Sequence, residues 1–187
     1  MTALIILGIV VLIGLFVMLT YNRLVTLRQA WKRAFADIDV QLKQRQDLVP
    51  NLVETVKGYA THENAVFTAV TQARASAMKA TTVGEKSAAE GILSGALGNL
   101  MAVAENYPEL KANQGFLNLQ SELSDLENKI AAARRFMNNA VAEYNSSIQQ
   151  IPAVLFAGAL GFTAAEMFTL DAAEREQTKT APAVKFS

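Results

Sequence analysis

Residues 1–22 contain no charged side chain, and from Ala3 to Leu19 every residue is apolar. A helix rises 1.5 Å per residue, so about 20 residues cover the roughly 30 Å of a bilayer's hydrocarbon core. A helix that is apolar on every face must be enclosed by a core or by lipid, and no other stretch of the chain looks able to enclose it. The run predicts a transmembrane anchor over 1–22, with residues 3–21 in contact with the lipid bilayer. A cleaved signal peptide would have a basic start and a small-residue cleavage site. This chain starts Met1-Thr2-Ala3 and runs through Thr20-Tyr21-Asn22-Arg23 without an A-x-A-like step, so an uncleaved anchor is expected. Arg23, Arg28, Lys32 and Arg33 follow the run and no basic residue precedes it. Positive charge stays on the cytoplasmic side, which predicts a single-pass protein of the cell membrane with its N-terminus outside and its helical domain in the cytoplasm. Tyr21 sits where an interfacial aromatic belongs.

With the anchor and a polar tail set aside, roughly 130 residues remain, enough for one domain with one core. Lys and Arg total 17 and Asp and Glu total 17, so the charge balance gives no reason to expect nucleic acid. The chain has no cysteine, which removes disulfides, thiolate catalysis, Cys-ligated zinc and iron–sulfur clusters. Glycine and proline are sparse and alternating β-branched runs are few, so the fold class is all-α.

The periodicity agrees. Trp31, Phe35, Ile38, Leu42, Arg45, Val49, Leu52, Val56 and Tyr59 recur at alternating steps of four and three, the spacing of a helical seam. Only Arg45 breaks the seam, and its aliphatic stem can still cover apolar surface. Pro50 predicts a kink near Arg45 to Val49 rather than an end. Gly58 and Thr61 loosen the pattern. From Glu63 to Lys79, Val66, Phe67, Val70, Ala73 and Ala77 share a face, on either a new helix or a bent continuation. Thr81 to Glu85 reads as a connection. A further helix is expected from about Ser87 to Asn106, with Ile92, Leu93, Ala96, Leu97, Leu100 and Val103 inward, ended by Tyr107-Pro108. The last runs from about Asn113 to Gln150. Its seam is Phe116, Leu119, Leu123, Leu126, Ile130, Ala133, Met137, Ala140, Tyr144, Ile148 and Ile151, and Pro152 stops it.

Short connections between these helices predict an up-and-down antiparallel four-helix bundle with long helices over 23–152. Residues 153–170 begin with an uncharged run too short to span a bilayer. They are expected to pack on the bundle or to lie at the membrane interface through Leu155, Phe156, Leu160, Phe162 and Phe168. Residues 171–187 read as a flexible tail in which Val184 and Phe186 could dock as a short extended motif.

Several short stretches have a collective likeness. They include Tyr21-Asn22-Arg23-Leu24-Val25, Ala36-Asp37-Ile38-Asp39-Val40-Gln41-Leu42 and Asp47-Leu48-Val49-Pro50-Asn51-Leu52-Val53-Glu54-Thr55-Val56-Lys57-Gly58-Tyr59. His62-Glu63, Glu105-Asn106-Tyr107-Pro108-Glu109-Leu110, Phe116-Leu117-Asn118-Leu119-Gln120, Glu127-Asn128, Tyr144-Asn145 and Pro182-Ala183-Val184-Lys185-Phe186 follow. Together they cover nearly the whole chain, which resembles the LemA family of bacterial membrane-associated proteins. The resemblance implies a four-helix up-and-down bundle behind one membrane helix and no established catalytic activity. It also implies a link to envelope homeostasis, and one relative is associated with magnetosome membranes. Phe136-Met137-Asn138 replaces a more common Tyr-Asn step, which leaves the fold expectation intact.

Catalytic patterns are missing from the sequence. His62 is the only histidine, and in His62-Glu63-Asn64-Ala65-Val66 a valine stands where a metalloprotease helix needs its second ligand. There is no Glu-x-x-His pair for a di-iron site, no phosphate-binding glycine loop and no nucleophile elbow. The expectation is therefore a non-enzyme with no cofactor, no metal, no nucleic acid and no small-molecule substrate. Asp37, Asp39, Asn51, Glu54, Lys57 and His62 cluster along the first helix. They form either a partner surface or buried polar network, or a solvated face with pairs such as Glu54 with Lys57. Arg134, Arg135 and the Asn residues of the last helix are expected at the surface, the alternative for Asn128 and Asn138 being homo-oligomer contacts. The function these readings favour is a membrane-anchored scaffold or adaptor working through self-assembly or other membrane proteins, its tether raising effective concentration. The alternative is a membrane-shaping or lipid-interface-binding protein. A carboxylate-only enzyme would need acidic side chains gathered in a pocket.

Overall fold

A computed structural model describes residues 1–169, and all the regular structure among them is helical. The order is α1 (Thr2–Lys57), α2 (Asn64–Lys79), α3 (Val83–Glu105), α4 (Pro108–Lys111) and α5 (Gln114–Gln149), then a single 3-10 turn at Ala153–Leu155. The expected tail over 171–187, with Val184 and Phe186, lies outside the described residues, as does residue 170. The chain divides into two compact units. Among the described residues one comprises Met1–Ile38 and Ala133–Met167, the other Asp39–Ala132 with residues 168–169.

In the second unit α1 passes through Pro50 without ending. Proline has no N–H, so the carbonyl of Gln46, one turn earlier, loses its helix partner. Arg74 of α2 supplies the missing donor, its Nε lying 2.6 Å from that carbonyl oxygen. The seam that begins on α1 buries Leu42, Val49, Leu52 and Val56, while Tyr59 falls beyond the helix and is 37% exposed. α2 is a separate helix, since residues 58–63 leave helical geometry before Asn64. It buries Phe67, Val70, Ala73 and Ala77.

α3 begins earlier than the sequence suggested. Thr82 and Glu85 form a capping box that draws most of the expected connection into the helix. The Glu85 carboxylate accepts from the Thr81 and Thr82 amides at 2.9 and 3.1 Å, and Thr82 Oγ1 accepts from the Glu85 amide at 3.2 Å. Those backbone donors hold the Glu85 carboxyl down at about 2. The inward face of α3 is Ser87, Glu90, Leu93, Ala96, Leu97, Leu100 and Ala104. Ile92, expected inward, is 60% exposed because it lies off the line joining Leu93, Leu97 and Leu100. Pro108 opens α4, where its fixed φ suits a first helical turn. Asn113 caps α5: its Oδ1 accepts from the Phe116 amide at 3.1 Å, and its Nδ2 donates to the Tyr59 hydroxyl at 3.0 Å. The core here takes residues from α1, α2, α3, α4 and α5, among them Val56, Val70, Leu100, Leu110 and Phe116.

In the first unit the core is smaller. Leu24 of α1 and Tyr144 and Ile148 of α5 pack with Ala153, Ala157 and Phe162. Along α5, Met137 and Val141 are fully buried while Ala140 is only half-buried, because a helix of 3.6 residues per turn drifts from a strict seven-residue repeat. Ile151, expected to end the seam, lies past the helix and is 84% exposed.

Candidate functional site

The first feature that can meet a partner is the start of α1. Residues 1–16 are exposed throughout, with Leu4 at 72% and Leu12 at 68%, and this helix is long and apolar enough to cross a membrane. No described segment of the chain covers it.

The apolar segment after α5 folds back onto the protein. Gly161, with φ of 74°, makes a turn that L side chains resist, and the next residue, Phe162, enters the core. The Phe162 ring meets Tyr21 edge-on at 5.5 Å between centroids and lies 4.7 Å from the Arg28 guanidinium carbon. Tyr144 Oη donates to the Thr163 carbonyl at 2.9 Å. Asn145 works like a short piece of strand: its Nδ2 donates to the Ala165 carbonyl at 2.9 Å and its Oδ1 accepts from the Ala165 amide at 2.8 Å. Burial pushes the Tyr144 phenol up, and Arg28 offsets part of this. Of the residues expected at a lipid interface, Phe162 and Phe168 are each 3% exposed and so are buried within the protein. Phe156 is half-buried, whereas Leu155 is 78% and Leu160 45% exposed.

The polar residues singled out along the first helix do not gather. Asp37, Asn51, Glu54, Lys57 and His62 are exposed, and no ion pair joins Glu54 to Lys57. Asp39 is half-buried and its carboxylate accepts from Lys86 at 2.6 Å. Arg135 is exposed, while Arg134 and Asn138 are half-buried. Among the described residues no group of three His, Asp or Glu comes together as a metal site. A groove of about 530 Å³ does carry Asp47 and Asn51 of α1 opposite Glu122, Asp125 and Lys129 of α5, and Asp47 pairs with Lys43 at 3.3 Å.

The buried polar network lies elsewhere, around the one break in the first seam. Arg45 is 2% exposed, so it does not lift its charge into water. Its guanidinium donates to the carboxylates of Glu90 and Glu127 and to Ser94 Oγ, the last at 2.8 Å. Glu90 also accepts from Gln46 Nε2. Burial works against the charge on Arg45, but Glu127 and Glu90 outweigh it and hold the guanidinium above its ordinary value. Glu90 is 4% exposed whereas Glu127 is 42% exposed, so part of the surplus negative charge stays in water. The sequence carried a signal for this pairing. Arg45 occupies a seam position on α1, and Glu90 precedes Leu93 and Leu97 on the inward face of α3 at steps of three and four. Opposite charges on two inward faces must find each other or stay unpaired.

These features define an all-helical protein whose leading helix is apolar, uncovered and long enough to cross a bilayer. More narrowly, the chain belongs to the LemA family, whose pattern matches residues 34–186. The magnetosome protein MamQ of Magnetospirillum gryphiswaldense is 26% identical over a stretch covering 81% of this chain. MamQ 2 of Paramagnetospirillum magneticum is 25% identical with the same coverage. Protein LemA of Metamycoplasma hominis is 28% identical over 68% of this chain. The matches span 65% of the MamQ relatives' length and 58% of that LemA's.

Proposed function

We propose that this chain is a membrane-tethered helical scaffold without catalytic chemistry. Residues 3–21 sit in the cell membrane with the N-terminus outside. Residues 23–152 form an up-and-down four-helix bundle in the cytoplasm, which binds other membrane proteins or copies of itself. The supporting observation is the change of character along α1, from a start exposed on all sides to a buried seam from Leu24 onward. Moving a Leu, Ile, Val or Phe side chain out of water is worth about 1.5–3 kcal/mol. Summed from Leu4 to Leu19, that exceeds the roughly 5–15 kcal/mol that holds a typical domain folded. Lipid is the medium that relieves such exposure. Membership of the LemA family supports a non-enzymatic role. Crosslinking the full chain in native membranes and weighing the solubilised complex tests the scaffold: adducts above monomer mass are expected. A strict monomer with no captured partner would contradict it.

A second reading rests on Ile151, Val154, Leu155 and Leu160, which stay exposed after the chain folds back. Exposed apolar side chains of this kind suit the headgroup region of a bilayer. On this reading the domain lacking residues 1–22 still binds liposomes, and the Leu155→Gln/Leu160→Gln pair weakens that binding. Equal binding of both forms would remove it.

A further inference from the structure

We infer that the protein holds the headgroup of one anionic phospholipid in a cleft where α1 leaves the bilayer. The inference rests on the membrane-spanning reading above and adds a specific lipid site to it. The cleft has a volume of about 220 Å³. Phe16, Thr20 and Arg23 of α1 line one side, and Ser147, Gln150 and Ile151 from the end of α5 line the other. The seven steps from Phe16 to Arg23 rise about 10 Å along the helix. That places Phe16 at acyl-chain depth when Arg23 is at phosphate depth.

Arg23 is the group that points to a ligand. Its neighbours among the basic residues are engaged: Arg28 lies over the Phe162 ring, Lys32 lies 6.0 Å from the Trp31 ring centroid, and Arg33 donates to the Gln29 carbonyl. Arg23 has no hydrogen bond or ion pair with any described residue. Among the described residues it is also the only charged one lining the cleft. A guanidinium next to an open cavity suits a phosphate, which it can meet with two parallel hydrogen bonds. The remaining polar groups are neutral. Thr20 Oγ1 already donates to the Phe16 carbonyl, so it faces a ligand as an acceptor. Gln150 Nε2 donates one hydrogen to Ser146 Oγ and keeps a second. Among the described residues no carboxylate lines the cleft to receive an ammonium, so a hydroxylated anionic headgroup fits better than a zwitterionic one. Ile151, 84% exposed at the rim, offers an apolar edge to the upper acyl chain.

The test uses the full chain in nanodiscs of phosphatidylcholine and phosphatidylglycerol, with lipids that remain bound after mild detergent extraction counted by native mass spectrometry. Phosphatidylglycerol should be retained in preference to phosphatidylcholine. Arg23→Gln should lower that retention about tenfold, the size of one charge-assisted hydrogen bond. Arg33→Gln, which removes an equal charge outside the cleft, should lower it much less, and Gln150→Ala should lower it measurably. Equal losses for Arg23→Gln and Arg33→Gln would overturn the site in favour of a diffuse basic surface. Displacement of the bound lipid by inorganic phosphate would overturn it in favour of a soluble anion site. A chain that enters nanodiscs but shows no lipid preference refutes the cleft alone. A chain that fails to enter them refutes the spanning reading as well.

Discussion

The two units bury polar groups by opposite means. In the first, the hydroxyl of Tyr144 and the amide of Asn145 bond to the backbone of residues 163–165, and the Arg28 charge rests on an aromatic face. The Tyr144 and Asn145 groups are neutral, and their partners are main-chain groups. In the second, a full positive charge on Arg45 is closed off against two carboxylates from α3 and α5. Neutral hydrogen bonds can be lost one at a time for modest amounts, whereas a buried charge stripped of its partner is left with most of its desolvation penalty. The second core is therefore the one whose helix register is fixed by chemistry as well as by shape.

The sharpest way to break this contrast is Arg45→Met, which leaves Glu90 buried and uncompensated. A loss of about 3–5 kcal/mol is expected in denaturant melts followed by circular dichroism. Arg45→Met combined with Glu90→Leu should recover most of it, because an apolar pair of similar volume replaces the ions. In the first unit, Phe162→Ala should cost about 3 kcal/mol through lost burial, and Tyr144→Phe only about 1 kcal/mol. A larger effect of Tyr144→Phe than of Phe162→Ala would reverse the account of that core. The carbonyl orphaned by Pro50 gives an intermediate test. Arg74→Met should cost about 1–2 kcal/mol, and less in a Pro50→Ala background, where the helix regains its own N–H donor.

The smallest effect concerns pH. The folded Glu85 carboxyl titrates at about 2, below its ordinary 4.5. Its stabilisation is therefore complete above about 4.5 and is lost as the pH falls toward 2. Glu85→Gln should flatten the stability profile across that window without changing its shape near neutrality.

Much of this fold was legible because helices announce themselves by charge and spacing. The lack of charge before Arg23 marked the candidate span, and steps of three and four marked the buried faces of α1, α2 and α5. Periodicity says which face of a helix is inward but not which helix it meets. For that reason Arg45 was visible as a break in a seam and Glu90 as a charge in step with Leu93 and Leu97, while the third member, Glu127, was not. Proximity along the chain misled in the other direction. Asp37, Asn51, Glu54, Lys57 and His62 are near each other in sequence but point to solvent. The Thr82-Val83-Gly84-Glu85 spacing is a readable capping signature, obscured by the glycine and threonines that suggested a loop. The burial of Phe162 follows a positive-φ turn at Gly161 and side-chain bonds from α5, and an apolar run gives no notice of either.

The most direct measurement concerns the placement of α1. The chain has no cysteine, so a single introduced thiol is unique. Thr2→Cys and Lys57→Cys variants of the full chain can be exposed in intact cells to a membrane-impermeant maleimide. Labelling of position 2 in intact cells, with position 57 reacting only after permeabilisation, is the expected result. Labelling of both positions from the same side would contradict a helix that crosses the bilayer.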